Sequence, residues 1–220
     1  MMRWQALLFD LDGTLVDSAP DLVAAVQDLA RERNLPVPAF DALRRMASHG
    51  APGLLGTAFA ITPADPDYVQ MRVDFLRLYR ARAHRASVLF PGIPETLRYL
   101  SEMQIPWAIV TNKSEELTHD LLATLALPYP PAIVVGGDTT EKPKPSPLPV
   151  QYALRHLGIE PEATVFLGDD RRDIEAAHAA GCRAWAAAWG YWQESDPPSA
   201  WGANAVLEDA DALRARLLAN

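Results

Sequence analysis

The chain has one cysteine, Cys182, in 220 residues. No internal disulfide can form, which fits a reducing compartment. No apolar run approaches the roughly 18 residues that a membrane-spanning helix needs. Met1-Met2-Arg3-Trp4 leads straight into a short apolar run. It lacks the charged leader, apolar stretch and cleavage site of a secretory signal, so a cytoplasmic location is expected. Positive charge is in the minority: 20 Lys and Arg face 28 Asp and Glu, a formal net charge of −8. Such a surface repels polyanions, and nucleic acid is not an expected partner. A small anionic substrate stays compatible with it, because a metal ion and a few local donors decide that binding. The five histidines are scattered, with no pair at metal-ligand spacing. Repeats and low-complexity tracts are absent.

About half of the residues are apolar, enough for a packed core. Short apolar runs end in polar loops. Ala6-Leu7-Leu8-Phe9 ends at Asp10 and Asp12-Gly13-Thr14, and Trp107 to Val110 at Thr111-Asn112. Ile133 to Val135 ends at Gly136-Gly137-Asp138, and Thr164 to Leu167 at Gly168-Asp169-Asp170. Ala184 to Ala188 is a weaker strand. Helical periodicity separates these runs over Pro94 to Met103, Glu115 to Leu125, Pro147 to Leu157 and Arg171 to Ala180. Apolar strands alternating with amphipathic helices predict an α/β fold, a doubly wound and mainly parallel sheet. Such sheets bind ligands at the C-terminal ends of their strands.

Residues 17–88 break this rhythm. Ser18 is placed to cap a helix carrying Leu22, Val23, Val26 and Leu29 on one face. Phe40 to Met46, Leu54 to Phe59 and Tyr68 to Arg85 also read as helical. The expected organisation is a catalytic core of residues 1–16 and 89–220, with 17–88 as an inserted all-helical cap. Hinges are expected near Val16-Asp17 and Val88 to Phe90.

Phe9-Asp10-Leu11-Asp12-Gly13-Thr14-Leu15-Val16-Asp17-Ser18 resembles the first signature of the haloacid dehalogenase superfamily, in its phosphatase branch. Later signatures follow in order: Thr111-Asn112, Lys142-Pro143-Lys144-Pro145, and Gly168-Asp169-Asp170-Arg171-Arg172-Asp173. The resemblance covers essentially the whole chain. It implies a Mg²⁺-dependent phosphatase acting on a small phosphorylated metabolite through an aspartyl-phosphate intermediate. Asp10 is then the nucleophile, and Asp12 the acid that protonates the leaving alkoxide and later takes a proton from water. The metal set implied is Asp10, Asp169 and the backbone carbonyl of Asp12, with Asp173 in an outer shell. Gly13, Thr111, Asn112 and Lys142 are implied phosphate contacts. Lys142 is preferred to Lys144 because it leads the Lys-Pro-x-Pro unit.

His49 in the helical segment and Lys113 beside the second signature are candidate substrate contacts. Arg44 and Arg45 could reach an anionic group, but arginines solvated on a helix surface are the favoured reading of both. Cys182 reads as structural, and Trp185, Trp189, Trp192 and Trp201 as packing around the last strand. The helical segment resembles that of phosphoglycolate phosphatases. Gly190-Tyr191, Trp201-Gly202-Ala203 and Ala58-Phe59-Ala60 resemble N-acetylmuramic acid 6-phosphate phosphatases instead. A phosphosugar mutase of the β-phosphoglucomutase type and a non-catalytic binding protein are the rival readings. Whether the chain is a monomer or a homodimer stays open.

Overall fold

A computed structural model describes residues 4–82 and 84–219. Its centre is strand β1, Ala6–Phe9, with all four residues buried. Strands β4 (Trp107–Val110) and β6 (Thr164–Gly168) flank β1 in parallel. Beyond β4 lies β5 (Ile133–Val135), and beyond β6 lie β7 (Arg183–Ala187) and β8 (Ala205–Leu207). The six-stranded order is β5-β4-β1-β6-β7-β8, every pair parallel. Strand β8 lies beyond the runs that the sequence pattern picked out. It has three residues, one of them exposed, so its apolar signal is weak.

The pleat sends alternate residues to opposite faces. Leu7, Phe9, Ile109, Val165 and Leu167 enter one core cluster. Leu8, Ala108, Val110, Phe166, Ala184 and Ala186 enter the other. Helices α7 (Leu148–Leu157) and α8 (Arg171–Ala179) cover the second face with Val150, Ala153, Leu154, Ile174 and Ala177. Helices α5 (Ile93–Glu102), α6 (Glu115–Thr124) and α9 (Ala210–Leu218) bring Leu97, Leu100, Leu121 and Leu213 to the first. A sheet covered on both faces needs continuous apolar strands, which is what the sequence supplies. Trp185 is buried in that first layer, its ring edge-on to Trp4 at 5.8 Å between centroids.

Two two-residue strands, β2 (Val16–Asp17) and β3 (Val88–Leu89), pair antiparallel at the points where the chain leaves and rejoins the sheet layer. Between them run α1 (Ala19–Glu32), α2 (Phe40–Arg44), α3 (Gly50–Phe59) and α4 (Tyr68–Ala81). Ser18 stands at the N-cap position of α1 without making a side-chain cap bond. Its hydroxyl donates to Asp12 Oδ1 instead. No described helix is long and apolar enough to cross a membrane.

Candidate active site

Three chain segments leave the sheet at neighbouring strand tips, as expected where strand order reverses about β1. Asp10 follows β1, Thr111 follows β4, and Asp169 follows β6. All three are buried. Gly13 takes a φ of +92°, which an L side chain rarely adopts, and a Cβ there would fall 2.1 Å from Asp169 Oδ2. The turn after β1 therefore lies directly against the carboxylate from β6. On the other side, a Cβ on Gly190 would come within 2.2 Å of Asp169 Cβ.

Asp10, Asp169 and Asp173 each offer a carboxylate oxygen, and these lie within 4.8 Å of one another. Asp169 is fixed by three donors: Thr14 Oγ1 to Oδ1 at 2.9 Å, and the Tyr191 backbone N–H and Ser48 Oγ to Oδ2 at 2.9 Å each. Burial, then the Asp10 and Asp173 charges, push the Asp169 carboxyl well above the usual range. Burial pushes Asp173 up to about 7, against the pull of Lys144. Crowded buried carboxylates of this kind ask for a cation. Their hard oxygens, together with the Asp12 carbonyl on the same loop, fit a divalent metal.

Asp173 does more than was expected of an outer residue. It completes the capping box of α8 by accepting from the Asp170 backbone N–H at 3.1 Å. Its other oxygen pairs with Lys144 Nζ at 2.6 Å.

The lysine that meets Asp10 is Lys144, and the expectation for Lys142 is corrected. Lys144 Nζ lies 2.8 Å from Asp10 Oδ1 and donates to the Val110 carbonyl at 2.8 Å. Burial opposes its charge, but Asp10 and Asp173 outweigh that and raise its pKa. Lys142 is exposed, and its carbonyl only accepts from Thr140. The physical reason lies in Asn112. Its side-chain amide donates to the Lys144 carbonyl and accepts from the Lys144 N–H, both at 2.9 Å. This clamp turns Lys144 inward. Position within a Lys-Pro-x-Pro unit carries no such information.

Asp12 Oδ1 and Oδ2 lie 3.2 and 3.1 Å from Lys113 Nζ. That ammonium also donates to the Tyr79 hydroxyl of α4 at 3.0 Å. Burial works against the Lys113 charge, yet Asp12 and Tyr79 raise its pKa overall. Thr111 Oγ1 accepts from the Lys113 backbone N–H at 3.2 Å.

A cavity of about 460 Å³ opens over these groups. Asp10, Asp12, Thr111, Asn112, Lys113, Lys144 and Asp173 line its core side, and Ser48, His49, Arg72, Phe75 and Tyr79 line the helical side. The structure thus brings together Asp10, Asp12, Gly13, Thr111, Asn112, Lys113, Asp169 and Asp173, with His49 at the rim. Arg44 and Arg45 are elsewhere, paired with Asp17 and Glu194. Ser48, Tyr79 and Arg172 were not singled out. Arg172 pairs with Asp170 and donates to the Ser48 carbonyl at 2.8 Å, tying α8 to the helical segment. Only the cluster Gly168-Asp169-Asp170-Arg171-Arg172-Asp173 hinted at it.

A parallel α/β sheet with a buried aspartate at the tip of its central strand, paired with a buried lysine and beside an acidic cluster, is an arrangement suited to a hydrolase. The chain belongs to the haloacid dehalogenase-like hydrolase family, which matches residues 7–187. A phosphoglycolate phosphatase of Xanthomonas campestris pv. campestris is 40% identical over 209 residues, 95% of this chain and 94% of its own. An N-acetylmuramic acid 6-phosphate phosphatase of Pseudomonas putida is 36% identical over 213 residues, 97% of this chain and 96% of its own. The crystal structure of a predicted phosphoglycolate phosphatase from Haemophilus somnus 129pt superposes with a TM-score of 0.86 at 28% identity, covering 98% and 99% of the two chains.

Proposed function

We propose that this hydrolase is a Mg²⁺-dependent phosphatase that releases inorganic phosphate from a small-metabolite phosphate monoester. The observation that carries the proposal is Asp10 at the tip of β1, ion-paired with Lys144 and facing the cavity beside Asp12. Phosphate monoesters hydrolyse so slowly unaided that the catalyst must supply large electrostatic stabilisation.

In this reading Asp10 attacks phosphorus through a carboxylate oxygen, and the bond to the leaving oxygen breaks. Asp12 passes its proton to the departing alkoxide. Water then attacks the aspartyl phosphate, Asp12 takes its proton, and phosphate leaves with Asp10 restored. Ser18 and Lys113 hold the Asp12 carboxyl in place. Lys144 fixes the Asp10 carboxylate and offers its positive charge to the phosphoryl oxygens. The Thr111 hydroxyl and the Asn112 backbone N–H are further donors. Asp10 and Asp169, with the Asp12 carbonyl, would hold Mg²⁺, which when bound neutralises charge on the transferring phosphoryl group.

Residues 17–88 are read as a lid over the strand tips. Ser48, Tyr79 and Arg172 span the gap between helices and core, and β2 and β3 stand where the two connections cross. Closure excludes bulk water during transfer, and opening admits it afterwards.

The relatives' names offer two substrates, 2-phosphoglycolate and N-acetylmuramic acid 6-phosphate. A cavity of about 460 Å³ favours the amino sugar, since a two-carbon acid would leave most of it to water. The test is phosphate release from a panel of phosphorylated metabolites, with Mg²⁺ and with chelator, beside Asp10→Asn. Activity surviving in that variant would remove Asp10 as nucleophile. Phosphate returned to the sugar rather than to water would favour the mutase reading.

A further inference from the structure

We propose that Arg72 selects the substrate by pairing with a second acidic group on the alcohol portion of the phosphate monoester, away from the phosphoryl group. The inference rests on the phosphatase reading above and names the substrate class: the phosphate ester of a sugar-sized alcohol that also carries a carboxylate.

Helix α4 turns one stripe toward the cavity. Arg72, Phe75, Leu76 and Tyr79, at i, i+3, i+4 and i+7, all line it. The stripe is apolar or aromatic except at its outer end, where Arg72 stands. The other charged residues of α4 turn away and are paired. Asp74 holds Arg33 at 2.8 Å, Arg77 holds Glu32 at 2.6 Å, and Arg80 holds Glu116 at 2.5 Å. The other Lys and Arg side chains lining the cavity are paired as well: Lys113 with Asp12, Lys144 with Asp10 and Asp173, and Arg172 with Asp170. Among the described residues, Arg72 makes no ion pair and no hydrogen bond. A ligand carboxylate arriving there displaces no existing partner.

A guanidinium binds a carboxylate through two parallel N–H donors, which fixes orientation as well as adding attraction. The neighbouring Phe75 and Leu76, with Leu22 of α1, give the ligand body an apolar surface to lie on. A phosphoryl group at Asp10 and a carboxylate at Arg72 would then hold the substrate at both ends. The cavity is large enough for a sugar between them.

The test compares N-acetylmuramic acid 6-phosphate with N-acetylglucosamine 6-phosphate, which lacks the lactyl carboxylate, on the wild-type chain, Arg72→Gln and Arg72→Lys. The expected result is a wild-type preference for the carboxylated ester. In Arg72→Gln, the ratio of the two kcat/KM values falls at least about tenfold, mainly through KM, and Arg72→Lys restores part of it. A wild-type ratio at or below one, or a ratio that Arg72→Gln leaves within about threefold, overturns the proposal. Calorimetric binding of the muramic ester to Asp10→Asn, with and without Arg72→Gln, reads the same contact without turnover. Weaker binding in the double variant supports the contact, and equal or absent binding in the two overturns it. Failure of the phosphatase reading is distinct: the wild type would then release phosphate from no member of the metabolite panel, whereas release from other members but from neither of these esters overturns the Arg72 proposal.

Discussion

Asn112 and Lys144 hold one another in both directions, amide to carbonyl and backbone N–H to amide oxygen, each at 2.9 Å. They lie 32 residues apart in sequence, on the loops after β4 and before α7. The pair ties a proline-rich loop to the loop after β4 and sets the Lys144 ammonium against Asp10.

Replacing that ammonium should therefore be costly. Lys144→Met is expected to lower kcat by roughly 10²–10³, the cost of losing one preorganised charge on a developing transition state. Lys142→Ala, on the exposed side of the loop, should change kcat by less than about twofold. Asn112→Ala should fall between them, because the ammonium remains but loses its aim. Steady-state kinetics on the three variants separate the two lysines; equal losses at both would reject the assignment.

The acidic cluster makes a prediction about stability. A cation that binds the folded chain alone raises its melting temperature, by about 2.7 kcal/mol of stabilisation at a hundred times its dissociation constant. Mg²⁺ should raise Tm in a concentration-dependent way, and Asp169→Asn should remove most of that rise. Calorimetry with and without chelator measures it. An undiminished Mg²⁺ shift in the variant would place the ion elsewhere.

Gly190 lies hard against Asp169, where an added methyl would meet its Cβ at 2.2 Å. Gly190→Ala should cost about 1–3 kcal/mol of stability through overpacking and should displace the carboxylate. The expected signature is a lower Tm together with a higher Mg²⁺ requirement for activity. A variant that melts lower at an unaltered Mg²⁺ requirement would mean that the carboxylate has room to keep its place.

The lid reading makes its own demand. Arg45 and Glu194 form an exposed ion pair between the helical segment and the core, 2.9 Å apart. A short bifunctional thiol reagent joining Arg45→Cys to Glu194→Cys should suppress turnover of a sugar phosphate, while the unlinked double variant keeps it. Cys182 is buried and does not compete for the reagent. Equal turnover in linked and unlinked protein would mean that no opening of this face is needed.

Much of this was readable along the chain. β1 and β4 begin and end where the apolar runs do, because a central parallel strand is buried on both faces and its ends are set by the first polar residues. Asp10 and Thr111 stand directly at those ends, Asp12 on the turn after β1 and Asp169 directly after β6, so their convergence follows from strand order. The short strands β2, β3 and β8 were less legible, since two or three residues leave no periodicity to detect. Ser18 has the residue type of a helix cap, yet its hydroxyl goes to Asp12, a competition between partners that local pattern does not decide.

The sequence by itself determined the alternating α/β architecture, the helical character of residues 17–88 and the aspartates at the strand tips, because each depends on a local pattern of apolar and polar residues. Only the tertiary structure decided that Lys144 rather than Lys142 meets Asp10, that Ser48 reaches Asp169, and that Arg72 lines the cavity without an ion-pair partner among the described residues. Those outcomes depend on where a side chain points, and partners tens of residues away in the chain set that direction.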